Sequence, residues 1–144
     1  MTLHSVLRTT TAAVLAAAAF ATASPGVAHA NAGDFSVKVT VENNTKESFD
    51  LLKYDVTEGD STTEPNQTIA PSKSDFFKTE SNWDQGGTAG SIKYQLTNGG
   101  YVVIYWSNPY EETNWYDCKV PNYMTCSWSE DQDYHAEMTF SISD

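Results

Sequence analysis

The chain has 144 residues, with 8 Lys and Arg against 19 Asp and Glu. That length accommodates one domain, or a smaller one behind a targeting segment, and rules out a multidomain enzyme, a large barrel or a long repeat array. All 19 acids follow position 30, with seven lysines and no arginine, so the chain does not bind nucleic-acid phosphates or an anionic lipid surface by bulk charge.

Residues 1–30 carry the marks of a secretory signal: one charge at Arg8, an apolar run over 12–21, and the small-residue site Ala28-His29-Ala30. Thr22, Ser24, Pro25 and Gly26 interrupt the run too early for a spanning helix, which needs about 20 apolar residues. Cleavage is expected before Asn31, leaving a secreted, soluble domain over 31–144.

Within that domain the first signal has period two. Phe35, Val37, Val39 and Val41 alternate with polar residues, which predicts a half-buried strand. Asn43-Asn44-Thr45 then supplies turn chemistry. A second strand carries Phe49 and Leu51 on one face and Leu52 and Tyr54 on the other. The polar stretch 57–68 reads as a loop, followed by a short strand over 75–78 and a second loop over 82–90. Residues 91–97 alternate again, with Ile92, Tyr94 and Leu96 facing one way. Asn98-Gly99 is a strong hairpin signal, and its partner strand over 101–106 is apolar on both faces, as a central strand is. A mixed region runs to Asp133. The last strand puts Tyr134, Ala136, Met138, Phe140 and Ile142 on one side. No helical period persists, so seven or so short strands joined by Gly, Asn and Pro turns predict an all-β, single-domain antiparallel β-sandwich.

Cys118 and Cys126 have seven residues between them. Export favours their pairing as a disulfide, read as a local staple across two strands or a loop. Closing so small a ring stabilises by about 2.5 kcal/mol on the loop-entropy account. Two cysteines with no histidine at ligand spacing do not make a zinc site. His135, the one histidine after position 30, falls on the polar side of the last strand and is expected in solvent. No nucleophile elbow, zinc-protease, P-loop or EF-hand motif occurs, and with 19 acids a carboxylate pair carries almost no information. The expectation is a non-enzyme with no cofactor or metal. Two sequons, at Asn43 and Asn66, would mark surface loops.

Aromatic residues are the outstanding feature. Tyr101, Tyr105, Trp106, Tyr110, Trp115, Tyr116, Tyr123 and Trp128 fall within 28 residues, and Trp83 sits in the glycine-rich loop. Such rings suit membrane interfaces, sugars and cationic head groups. Ser107, Asn108, Glu111, Glu112 and Asp117 stand among them and resist deep burial. Trp106, Tyr110, Trp115 and Tyr116 are therefore expected to form a partly exposed rim, while Tyr105 divides evenly between rim and core.

Four segments, in order and spacing, resemble the aegerolysins: Val39-Thr40-Val41-Glu42-Asn43-Asn44-Thr45, Ile69-Ala70-Pro71, Gly87-Thr88-Ala89-Gly90-Ser91-Ile92, and Tyr105-Trp106-Ser107-Asn108-Pro109-Tyr110 with Asn114 after it. The bacterial branch, which includes one component of two-part insecticidal crystal toxins, is nearer than the fungal hemolysins. The resemblance implies an aegerolysin/actinoporin-like sandwich that recognises sphingomyelin or ceramide phosphoethanolamine, with or without sterol. It also implies cytolysis or hemolysis with a second, pore-forming protein. Lipid-binding residues carried over are Tyr105, Trp106 and Tyr110, with Trp83 as a looser addition; Trp115 and Tyr116 join them from the rim reading. The chain departs from several fungal members at Gly86, where they carry an acid, and at Glu112, where they carry a lysine. The alternative reading is a carbohydrate-binding sandwich that stacks sugars on Trp106 and Trp115 without touching membranes.

Overall fold

A computed structural model describes residues 31–84 and 86–144. The secretory signal expected over 1–30 lies outside the described residues. Ten strands form: β1 (Ser36–Asn44), β2 (Phe49–Glu58), β3 (Asp60–Thr63), β4 (Thr68–Ile69), β5 (Lys73–Glu80), β6 (Thr88–Leu96), β7 (Tyr101–Asn108), β8 (Trp115–Lys119), β9 (Thr125–Trp128) and β10 (His135–Ser143). They make two five-stranded sheets, ordered β3-β5-β1-β10-β9 and β4-β2-β6-β7-β8. Among the described residues there is no helix. The sandwich is thus the expected one, with more strands than expected: β3 occupies the stretch read as loop, and β8 and β9 the mixed region.

Between the sheets lie the inward residues that alternation marked, joined by the inward face of β7. Val37, Val39, Val41, Met138, Phe140 and Ile142 from the first sheet meet Phe49, Ile92, Tyr94, Val102, Ile104 and Trp106 from the second, all at most 1% exposed. The pairing is antiparallel except at one place. β1 and β10 run parallel, from Ser36↔His135 to Asn44↔Ser143. They are the first and last strands, so no tight hairpin forces them to oppose.

Tyr54 is a correction to the sequence reading. Register shifts between Leu51/Lys53, which leaves Leu52 as an unpaired extra residue. The bulge reverses the phase of β2, exposing Leu52 and turning Tyr54 inward, where its ring stacks 6.0 Å from Trp106 and meets Phe77 edge-on at 5.3 Å. The glycine that admits this stack is Gly90, where a Cβ would come within 2.4 Å of the Asp55 carbonyl and 2.5 Å of the Trp106 ring.

Asn43, expected on a surface loop as a sequon, is fully buried. Its amide donates to the Glu47 and Ile69 carbonyls at 2.7 and 3.0 Å, and its Oδ1 accepts from the Thr45 amide and hydroxyl. The side chain closes one end of the sandwich and has no room for a glycan. Asn66 is exposed, as expected.

The disulfide joins Cys118 to Cys126 with Cα atoms 6.4 Å apart. β8 is the outermost strand of the second sheet and β9 that of the first, so the bridge ties the two sheets along one open side. Replacing both cysteines with serine should cost about 2.5 kcal/mol, measured by urea unfolding. Gly90→Ala should cost about 1–3 kcal/mol through overpacking, with near-ultraviolet circular dichroism reporting the displaced indole.

Candidate functional site

One end of the sandwich gathers four segments. Ser36 pairs with both Glu80 and His135, Thr88 with Asn108, and Ser107 with Trp115. Residues 31–35, 81–84 with 86–87, 109–114 and 129–134 therefore emerge side by side. Trp83 (71% exposed), Tyr134 (67%), Trp115 (55%) and Tyr110 (37%) all project there.

Phe35 anchors this end. It is buried, and Tyr110 and Tyr134 meet its ring edge-on at 5.6 and 5.2 Å. Above the three rings opens a cleft of about 610 Å³, lined by Gly33, Asp34, Phe35, Tyr110, Glu111, Tyr134 and His135. Asp131, Gln132 and Asp133 border a shallower hollow on the other side of Tyr134. Aromatic faces ringed by carboxylates attract a cation and repel an anion. His135 is exposed, as the alternation predicted, and its Nδ1 lies 3.0 Å from the Ser36 hydroxyl. Among the described residues, no group of three His, Cys, Asp or Glu is placed to hold a metal ion.

Three side chains hold the wall that carries Tyr134. Asn108 is buried, and its Nδ2 donates to the carbonyls of Ser36, Asp133 and Tyr134 at 3.2, 3.2 and 2.9 Å. Asn114 donates to the Asp131 and Asp133 carbonyls at 3.1 and 3.0 Å. The Tyr116 hydroxyl donates to the Asp131 carbonyl at 3.0 Å. Burial, augmented by the Asp131 and Glu130 carboxylates, pushes that phenol up to about 12, so it remains a donor through the neutral range. The opposite wall depends on glycine. A Cβ at Gly87 would lie 2.5 Å from the Asn108 carbonyl, and one at Gly86 would lie 3.1 Å from the Tyr110 Cβ. Their absence lets the Trp83 loop lie against Pro109 and Tyr110.

Of the expected lipid-binding residues, Trp83, Tyr110 and Trp115 are exposed and share one end. Tyr105 is half-buried on the outer face of the second sheet, its ring 6.1 Å from Trp115. Trp106 and Tyr116 are corrections: they are 1% and 7% exposed and belong to the core. Trp106 shares the phase of Val102 and Ile104, and Tyr116 is its cross-strand partner. The polar neighbours that argued for exposure either face the other way or, like Asn108, are buried with hydrogen bonds of their own. Phe35 and Tyr134 were not among the expected site residues. Both share the phase of the core-facing residues of their strands, and only their position at the strand ends brings them to the rim.

No family model matches the sequence, and no curated protein matches it. Solved structures do. The lipid binding protein Nakanori superposes with a TM-score of 0.66 at 13% identity, over 76% of this chain and 71% of its own. IP-1A from Alcaligenes faecalis gives 0.60 at 12%, over 78% and 93%. RahU protein, solved in complex with a TRIS molecule, gives 0.60 at 14%, over 81% and 96%. At these identities the likeness is one of fold, and the fold is the aegerolysin-like sandwich that the sequence resemblance implies.

Trp106→Ala should lose about 3–5 kcal/mol of stability, whereas Trp83→Ala and Tyr134→Ala should stay within about 0.5 kcal/mol of wild type; thermal unfolding separates them. Asp131 gives a pH dependence. Hydrogen bonds from the Glu137 and Asp133 amides hold its carboxyl below the usual aspartate value of 3.8. Their stabilisation is present above that value and is lost as pH falls through the lower folded-state value. Asp131→Asn should therefore be less stable than wild type at neutral pH, and the gap should close in acid when both proteins are unfolded thermally across the range.

Proposed function

We propose that this protein is a secreted, non-enzymatic lipid-binding protein that meets membranes with the aromatic, acidic end of its sandwich. The observation that carries the reading is the convergence of Trp83, Tyr110, Trp115 and Tyr134, from separate parts of the chain, on one exposed end. Amphipathic rings at such an edge settle in the head-group layer of a bilayer. The cleft among them is sized for a head group, and Asp34 and Glu111 on its lining supply negative charge. A zwitterionic lipid whose outermost group is an ammonium fits it: the choline of sphingomyelin or the ethanolamine of ceramide phosphoethanolamine, in membranes with or without sterol. Nakanori is a lipid binding protein of this fold, and RahU was solved with TRIS, itself a small amine. Both likenesses support the reading.

Lysis or hemolysis follows in this account only when a second, pore-forming protein supplies the membrane-crossing segment. The sugar-stacking alternative loses one of its two platforms, because Trp106 is enclosed between the sheets.

Co-sedimentation with liposomes tests the proposal. Vesicles of sphingomyelin with cholesterol, or of ceramide phosphoethanolamine, should pull the protein down, and phosphatidylserine vesicles should not. A Trp83→Ala, Tyr134→Ala variant should bind at least about tenfold more weakly while unfolding at the wild-type temperature. Entrapped dye should stay inside until a pore-forming partner is added. Binding to no zwitterionic lipid, or equal binding by the variant, would overturn it.

A further inference from the structure

The outer face of the second sheet carries a different arrangement, which runs from the aromatic end, where Tyr105 meets Trp115, along the strands toward Lys119. Register places Lys53 opposite Lys93, Lys93 opposite Val103, and Val103 opposite Lys119, in one row crossing β2, β6, β7 and β8. Their sequence neighbours Tyr54, Ile92, Tyr94, Val102, Ile104 and Cys118 pack toward the core, so all four project outward. Along β7 the same face presents Tyr101 and Tyr105 on either side of Val103. Val103 is thus the floor of a shallow seat, with an ammonium on two sides and a phenol ring on the other two. Lys93 Nζ lies 3.7 Å from the centre of the Tyr101 ring, and Lys119 Nζ lies 5.2 Å from that of Tyr105.

Like charges directly opposite one another across strands are unfavourable. This chain sets Lys53 against Lys93 although acids outnumber lysines almost three to one. Carboxylates on the face offset part of the charge. Asp55 holds Lys53 at 2.7 Å and Asp117 holds Lys119 at 3.8 Å, while Asp50 accepts a hydrogen bond from Thr68 at the far edge. Among the described residues Lys93 has no ion-pair partner. Around Val103 itself, Lys93 and Lys119 against Asp117 leave one positive charge, which suits a monoanion and not a polyanion.

We propose that this seat binds an acidic sugar residue, carrying a single carboxylate, at the end of an oligosaccharide. Lys93 and Lys119 stand two strand spacings apart, about 9.5 Å, so both flexible side chains reach a carboxylate placed over Val103. On binding, the two ammonium groups turn from the Tyr101 and Tyr105 rings to the carboxylate. The freed face of Tyr101 receives the sugar ring, and the phenol hydroxyls hydrogen-bond its substituents. A bilayer phosphate does not reach the seat, an exclusion that rests on the membrane reading above. Lys119 is four residues along β8 from Trp115, about 13 Å, while the head-group layer of one leaflet is only about 5–7 Å deep. With Trp115 at the interface, the seat faces what stands above the lipid.

Nuclear magnetic resonance titration with 3′-sialyllactose, lactose and inorganic phosphate tests this. Sialyllactose should shift the amide resonances of Lys93, Val103 and Lys119, and lactose and phosphate should not. Lys93→Gln should weaken sialyllactose roughly tenfold, the effect of losing one charged hydrogen bond. Lys73→Gln, in the other sheet, should change nothing, and both variants should unfold at the wild-type temperature. The proposal fails if lactose binds as tightly, if phosphate gives the same shifts, if the shifts map to the Tyr134 end, or if sialyllactose produces none.

Discussion

The indole of Trp106 lies against Gly90, and much of the molecule follows from that contact. With no Cβ at position 90, the ring enters the space between the sheets and meets Tyr54 and Phe77. Its burial sets the phase of β7. Two residues on, Asn108 must also face inward, where its amide reaches the carbonyls of Ser36, Asp133 and Tyr134. One residue back, Tyr105 must face outward beside Trp115. A single ring without polar partners of consequence therefore decides which neighbours clamp the loops and which meet the surroundings.

The two ends of the sandwich are closed by the same device. At one end the Asn43 amide, and at the other the Asn108 amide, sits fully inside and gathers backbone carbonyls from segments far apart in the chain. An asparagine suits the task because one short side chain offers two donors and an acceptor to loops that lack a ladder of their own. The ends diverge in what they add. The Asn43 end is held further by buried Glu47, which accepts from the Asn98 amide and the Tyr123 hydroxyl. The Asn108 end leaves its aromatic residues standing in the open.

Alternation made the long strands and most of the core legible in the sequence, because a half-buried strand writes its burial pattern directly. β3, β8 and β9 were not legible: at four or five residues each, they are too short for a period to stand out. Tyr54 was misassigned because a bulge inserts one residue, and nothing local in Leu51-Leu52-Lys53 announces it. Trp106 and Tyr116 were misassigned for a different reason. Strand 101–106 is apolar on both faces and β8 is too short to show a period, so the polarity of adjacent residues decided the reading. Gly87, Gly90, Trp106 and Asn108, on which the family resemblance partly rested, are residues that build and clamp the fold. The rim residue Tyr134 and the row through Val103 needed strand pairing to emerge, since each joins residues distant in sequence.

The parallel pairing of β1 with β10 has a kinetic consequence. Ser36 and His135 are 99 positions apart, and the strands they begin lie side by side in the middle of the first sheet. Long-range pairings of this kind form slowly, since a large loop must close before any contact rewards it. During synthesis, β1 has only β5 beside it until the last nine-residue strand is made. The half-built sheet then exposes an edge of unpaired N–H and C=O groups that no hairpin can cover, and it becomes complete only when β10 is present. A sheet wired in this way stays open until β10 emerges, and then locks with β1 and β10 in contact.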